Sequence, residues 1–225
     1  SNIPYAYEIS DYDYIAGLKS FQDGMYQIQD ISSMLAGEYT APKAGDTIVD
    51  VCGAPGGKSI NAALKMLEQG DCGRVIARDL SDYKVALIDE NIKRLNITNI
   101  QTQVYDALDC DESLINKADI VIADLPCSGL GIIGRKPDIK YNASPEKLQS
   151  LVDLQRDILK VVSRYVKSGG VLMYSTCTIN RAENEDNADW ICKESGFTKD
   201  GEYHQLLPAN NSGMDGFFVA RLIKS

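Results

Sequence analysis

The chain alternates short apolar, β-branched runs with stretches of helical period, and nothing else in the sequence limits its fold as strongly. Thr47-Ile48-Val49-Asp50-Val51-Cys52, Arg74-Val75-Ile76-Ala77-Arg78-Asp79-Leu80 and Ile120-Val121-Ile122-Ala123 read as buried strands. Between the first two, Ile60, Ala63, Leu64 and Leu67 recur at helical spacing, and Gly70 stops that helix. After the second, Ser81 or Asp82 caps a helix with Val85, Ile88, Ile92 and Leu95 on one face. A third strand is expected to end near Tyr105-Asp106, and the fourth leads to Asp124. Ser144-Pro145 makes a sound N-cap and first-turn pair for a long helix. That helix is expected to turn Leu148, Leu151, Leu154, Ile158 and Val162 inward and to end before Gly169-Gly170. A fifth strand, 171–174, follows, and 216–223 closes the chain as a strand paired with a shorter one near Phe197. Upstream, 29–36 reads as a short helix stopped by Gly37. Strands separated by helices imply an α/β fold, a parallel sheet covered on both faces.

Two of the predicted strands end in chemistry. The fourth delivers Asp124-Leu125-Pro126-Cys127-Ser128-Gly129 and the fifth Ser175-Thr176-Cys177. In open α/β sheets the C-terminal strand edge is where ligands bind. Two thiols and a carboxylate at one mouth point to covalent chemistry rather than packing. The first strand runs into the turn Cys52, Gly53, Ala54, Pro55, Gly56, Gly57 and Lys58 before a helix. It is neither G-x-G-x-x-G nor G-x-x-x-x-G-K-[ST], so a dinucleotide or nucleoside triphosphate is disfavoured. Asp79 sits where an acid can accept hydrogen bonds from both hydroxyls of a ribose, and Asp106 where one can hold an adenine amine. Together these strand ends describe an adenosine-containing ligand without a phosphate clamp. S-adenosylmethionine fits, with Asp50 or Lys58 serving its polar tail. Taken singly, a glycine turn is more often structural, and Asp79 alone could cap its helix.

Bulk properties narrow the setting. A chain of 225 residues supports one substantial domain. No apolar run approaches the ~20 residues that span a bilayer, and no signal pattern opens the chain, so the expectation is a cytoplasmic protein with no membrane partner. The six cysteines are scattered without a C-x-x-C pair and there is one histidine, which supports neither a disulfide scaffold nor a metal site. Cys52, Cys72, Cys110 and Cys192 are expected to pack as small hydrophobes, and His204 and Trp190 to be structural. A formal net charge of −9 opposes non-specific attraction to nucleic acid, so a polynucleotide substrate requires a local basic patch or another domain. Arg135, Lys136 and Lys140, just past the Asp124 loop, are candidates to grip phosphates at the rim, the alternative being a solvated turn. A monomer is expected.

The stretches DVCGAPGGKS (50–59), DLPCSGLG (124–131) with GRKPDIKY after it, and YSTCTINRAENE (174–185) closely resemble the RsmB/NSUN family of RNA (cytosine-5)-methyltransferases. The resemblance runs from about Gln29 to the C-terminus and includes Asp215-Gly216-Phe217-Phe218. It implies a Rossmann-like class I methyltransferase fold: seven strands in the order 3-2-1-4-5-7-6, the last antiparallel. It also implies S-adenosyl-L-methionine as cofactor, held by Cys52, Gly53, Ala54, Pro55, Gly56, Gly57, Lys58, Asp79, Asp106 and Asp124. The family's nucleophile falls on Cys177, and its second cysteine, linked to product release, on Cys127. The implied substrate is ribosomal RNA, or else transfer RNA. Residues 1–28 then read as a short lead-in or as the tail of an N-terminal RNA-binding region, and 29–225 as the catalytic domain. Gly53 stands where alanine is usual.

The chemistry asks for these groups. Carbon 5 of cytosine is a poor nucleophile, and a thiolate adding to C6 makes it enamine-like. A free thiol with a pKa of about 8.5 is only slightly ionised at neutral pH, so Cys177 needs help. A helix starting near Asn180, with Glu183 completing a capping box, is expected to aim its positive end at Cys177. Negative charge builds on N3 and O2 as the thiol adds. Asp124, protonated or acting through the exocyclic amine and tuned by Lys58, would hold that edge of the base, and Cys127 or a water would remove the C5 proton. The base must also leave its stack. The competing readings are an amino-methyltransferase, which needs no thiol, and a catalytically idle nucleoside-binding module.

Overall fold

The computed structural model of the chain describes residues 3–70, 73–208 and 214–225. Its centre is a single sheet of β1 (Thr47–Asp50), β2 (Arg74–Asp79), β3 (Ile100–Val104), β4 (Ala118–Asp124), β5 (Val166–Thr176), β6 (Phe197–Lys199), β7 (His204–Leu206) and β8 (Phe217–Lys224). The order is β3-β2-β1-β4-β5-β8-β6, with β7 also paired to β8. Strands β1 to β5 are mutually parallel, and β8 runs antiparallel to β5, β6 and β7. The expected seven-strand order is present, with β8 in the place of the seventh strand. The extra strand β7 makes the count eight.

The helices are α1 (Lys19–Gln22), α2 (Ile31–Thr40), α3 (Gly57–Glu68), α4 (Asp82–Arg94), α5 (Ile139–Asn142), α6 (Pro145–Val162) and α7 (Glu185–Ser195). Strand alternation sorts the core into two layers. Ile48, Ile120, Ile122 and Met173 meet Ile60 and Met66 of α3 on one face. Val49, Val121, Ala123 and Leu172 meet Ile158 and Leu159 of α6 and Ile191 of α7 on the other. Each fully buried Ile or Leu contributes about 1.5–3 kcal/mol of transfer free energy, an upper bound because unfolded chains are partly collapsed.

Several boundaries differ from the sequence expectation for identifiable reasons. Helix α2 begins at Ile31, capped by the Asp30 side chain on the Ser32 amide, and passes through Gly37. A Cβ at Gly37 would meet the Asn61 side chain 2.6 Å away, so this glycine permits close packing on α3 and does not stop the helix. On α3 the inward face holds Ile60, Ala63 and Met66, whereas Leu64 and Leu67 are exposed. On α6 the buried face is Val152, Gln155, Ile158, Leu159 and Val162, and Leu148, Leu151 and Leu154 lie at its half-buried margin. A polar residue therefore points inward where periodicity had placed leucines. Strand β5 starts at Val166 and contains the Gly169-Gly170 pair, at a register shift against β4. The N-terminal segment is tied down by Arg94, which donates to the Phe21 and Tyr26 carbonyls and stacks on Phe21. No helix among the described residues is long and apolar enough to cross a membrane.

Candidate active site

The loop between β1 and α3 is shaped by its hydrogen bonds. The Gly53 amide donates to the Arg78 carbonyl at 2.8 Å and the Gly56 amide to the Gly53 carbonyl at 2.6 Å. Gly56 has φ +106°, and a Cβ there would press on Ile60 and Ile88 at 3.2 Å, so the turn requires glycine on both counts. The Ala54–Pro55 peptide is cis. Asp79, 4% exposed, holds this loop from β2: it accepts from the Ala54 amide at 3.0 Å and the Leu80 amide at 2.8 Å, and pairs with Lys84 at 3.0 Å. It does not cap α4; Ser81 does.

Two cavities open at the C-terminal edge of the sheet and share Cys52, Ala54, Asp124 and Cys177 in their walls. One, about 340 Å³, lies between the ends of β2, β3 and β4 and is lined by Asp79, Tyr105, Asp106, Leu108 and Pro126. Its apolar walls with carboxylates at the end suit a flat heterocycle on a ribose. The other, about 320 Å³, is lined by Asp50, Lys58, Asp124, Cys177, Asp215 and Phe217, with Gln27 to Asp30 at one side. All the proposed cofactor and catalytic positions border one or both cavities except Gly56, whose part is in the turn.

Asp50 stands out electrostatically. It is 1% exposed, accepts from Ser59 Oγ at 2.6 Å through Oδ2, and its Oδ1 is buried without a hydrogen-bond partner. Burial pushes its carboxyl up to about 7. An orphaned buried acceptor facing a cavity is the counterpart an ammonium group would satisfy. Lys58, 9% exposed, donates to Asp124 Oδ2 at 2.5 Å and Ser33 Oγ at 3.1 Å. Asp124 Oδ1 accepts from Ser175 Oγ at 2.7 Å. The acid at the end of β4 is thus fixed on both oxygens, by α3 and by β5.

The two thiols meet. Cys127 Sγ and Cys177 Sγ lie 3.1 Å apart, and both residues are free cysteines. The hydrogen bond from Cys127 lowers the Cys177 pKa, aided by the charge of Lys58. The same bond, together with burial, raises Cys127. This replaces the helix-dipole explanation. Helix α7 starts only at Glu185, and Asn184 before it has non-helical dihedrals and no capping bond. Residues 181–184 form turns instead.

The backbone around the thiols is stitched across long sequence distances. The Gly131 amide donates to the Cys177 carbonyl, and the Gly216 amide to the Gly131 carbonyl. A Cβ at Gly131 would overlap the Gly216 carbonyl and sit 2.8 Å from that of Cys177. Ser128 Oγ and Thr178 Oγ1 share a hydrogen bond of 2.7 Å. Glu183, wholly buried, accepts from the Ser128 amide, Gln155 Nε2 and Asn180 Nδ2. The sequence reading gave Glu183 a capping role and missed Gln155; a glutamine among the apolar positions of α6 was the available signal.

Other expectations move. Arg135 is paired with Asp30 and Asp215, both in the wall of the second cavity. Lys140 lies over the Tyr141 ring. His204 stacks on Tyr39 and Trp190 lies beneath Arg156 and Lys160, as structural residues would. Cys52 and Cys192 have thiols raised by burial. Cys72 lies outside the described residues. Among the described residues no group of three or more His, Cys, Asp or Glu side chains could hold a metal ion.

Residues 38–223 match the family described as 16S rRNA methyltransferase RsmB/F. The chain belongs to the RsmB/F family. It is 38% identical to the probable ribosomal RNA small subunit methyltransferase B of Bacillus subtilis, and the match covers 93% of this chain and 50% of that protein. Against ribosomal RNA small subunit methyltransferase B of Vibrio vulnificus the identity is 32%, covering 93% of this chain and 50% of the relative. The chain thus spans about half the length of these RsmB/F relatives. Among solved structures, NSun6 from Pyrococcus horikoshii, crystallised with SFG, an S-adenosylmethionine analogue, superposes with a TM-score of 0.83 at 28% identity, covering 95% of this chain and 56% of NSun6. The Rossmann-like methyltransferase fold expected of an RsmB/F chain is the fold present.

Proposed function

We propose that this chain is the catalytic domain of an S-adenosylmethionine-dependent RNA methyltransferase that modifies carbon 5 of a cytosine in small-subunit ribosomal RNA through a covalent Cys177–C6 adduct. The observation that carries the reading is the pair of free thiols 3.1 Å apart where the two cavities meet. An amino-methyltransferase has no use for such a pair, and an idle binding module no reason to keep two free thiols in contact at the edge of a cavity.

Bound S-adenosylmethionine would supply an electrophilic methyl sulfonium. Asp79 and Asp106 would receive its ribose and adenine, and the buried Oδ1 of Asp50 its ammonium. The crystallised NSun6 complex and the orphaned Asp50 oxygen both support this cofactor.

Cys177 attacks C6 as the thiolate that the Cys127 hydrogen bond favours. The C5–C6 π electrons move toward C4 and N3, and C5 becomes the nucleophile for the methyl group. Asp124, held by Lys58 and Ser175, would accept the exocyclic amine while Lys58 would offset charge growing on the ring. Release then requires the C5 proton to leave, its electron pair to re-form the C5=C6 bond, and the C6–S bond to return its pair to Cys177. Cys127 is suited to this step because of what raises its pKa. The largest cause is the hydrogen bond to Cys177, and the Cys177 charge adds to it. Both disappear when Cys177 sulfur bonds to carbon. Cys127 is therefore held protonated during attack and gives up its proton more readily once the adduct exists, with burial still raising it in both states.

The test is methyl transfer from labelled cofactor to 16S ribosomal RNA by the full-length protein, followed by nucleoside analysis. Label in 5-methylcytidine that vanishes with Cys177→Ala is the expected result. Label in an N-methylated nucleoside that survives the substitution would overturn it.

A further inference from the structure

The peptide groups on either side of Cys127 are gripped by one buried polar network. Gln155 of α6 donates from Nε2 to the Pro126 carbonyl at 2.9 Å. Glu183 accepts the Ser128 amide on Oε2 at 2.8 Å. These two side chains also bond each other at 3.0 Å. Both have no solvent exposure, and both are satisfied further: Glu183 Oε1 by Asn180 at 2.9 Å, Gln155 Oε1 by Asn187 at 2.8 Å. Tyr174 donates to the Glu183 carbonyl. A carboxylate and an amide in a core position cost desolvation, which is offset only if every partner is made. A Leu-like residue would serve packing in α6 without that demand. The network runs from α6 and the turn before α7 to one loop, 126–128, whose Pro126 also lines the first cavity, and it makes no hydrogen bond to the 52–58 loop or to Asp124.

We propose that Glu183 and Gln155 are positioning residues for Cys127, serving the release step rather than the attack. The proposal rests on the reading that Cys127 acts in release. By clamping Pro126 and Ser128, the pair fixes where the Cys127 sulfur sits when Cys177 is tied to the base. A carboxylate is needed at 183 because three N–H groups converge on it. Glutamine there offers one acceptor oxygen and turns an NH2 toward a donor.

The experiment compares full-length wild type, Cys127→Ala, Glu183→Gln and Gln155→Met on 16S ribosomal RNA made by transcription in vitro. Turnover, protein–RNA adduct on denaturing gels and cofactor Kd are read for each. Glu183→Gln and Gln155→Met are expected to lose about 10–100-fold in kcat, as small misplacements of a reacting group do. They should accumulate adduct as Cys127→Ala does, with cofactor Kd within twofold of wild type. A core control, Ile97→Val, lies in the core on the opposite face of the sheet from α6 and α7 and should change neither kcat nor adduct level at matched stability. If Cys127→Ala traps adduct while both network variants turn over normally, the positioning role is wrong and the release reading stands. Loss of turnover without adduct in the network variants also overturns the role. Absence of adduct in Cys127→Ala, with normal turnover, removes the release reading and this proposal with it. Should one network variant fail to fold, the other decides.

Discussion

The two halves of the cavity edge are built on opposite principles. On the cofactor side, at the end of β1, a buried carboxylate keeps one oxygen unpaired and a carboxyl near neutrality. On the thiol side, at the ends of β4 and β5, the side-chain oxygens of Asp124 and Glu183, the Pro126 carbonyl and the Ser128 amide are satisfied from within the protein. The difference teaches where order is supplied from. At Asp50 the first half relies on a ligand to complete its hydrogen bonds, while Asp79 is already held by the Ala54 and Leu80 amides. The second is organised before any base arrives, as electrostatic preorganisation of a covalent step requires.

The contrast can be broken most severely at the nucleophile. Cys177→Ala should reduce labelling of ribosomal RNA by roughly 10⁴-fold or more, since a nucleophile acts as a unit with its surroundings. Residual transfer close to wild type would mean the thiol side is not catalytic at all. Next in size, Cys127→Ala should lower turnover by about 10²–10⁴-fold, the range of a lost general base, while an RNA adduct persists through a denaturing gel.

The cofactor side is probed by Asp50→Asn. With its carboxyl raised to about 7, the folded protein keeps a proton that the unfolded chain releases near pH 3.9. The stability tied to that proton is present at low pH and lost as pH rises through 7. Asparagine removes the titration. It should therefore stabilise the cofactor-free protein by about 2–3 kcal/mol more at pH 8 than at pH 5, read from denaturant melts. The same change should weaken cofactor binding. Equal stabilisation at both pH values would show that Asp50 is not a buried charge awaiting a partner. Smallest is the pH dependence of adduct formation under single turnover. It should rise about tenfold per pH unit and level off below the ordinary thiol value of about 8.5, because Cys127 lowers Cys177. In Cys127→Ala the plateau should move to higher pH.

Much of this was readable from the chain. The strand ends at Asp50, Asp79, Asp124 and Thr176, just before Cys177, follow from β-branched runs closing on turn residues, signals contained within a few neighbouring positions. The Ser144-Pro145 and Ser81 caps are equally local. Less legible were the faces of α3 and α6, where leucines lie outward or at the margin while Gln155 points in. Periodicity gives a stripe but not its rotation, which is set by what packs on it.

Sequence alone determined the order of strands and helices and the chemical groups delivered to one edge, because both depend on local pattern. Only the tertiary structure decided which of those groups touch. The 3.1 Å between thiols fifty residues apart, the Glu183 hold on Ser128 and the Asp30–Arg135–Asp215 contact are such cases. Each depends on the relative placement of separate elements to within about an ångström, and hydrogen bonds fade steeply beyond that tolerance.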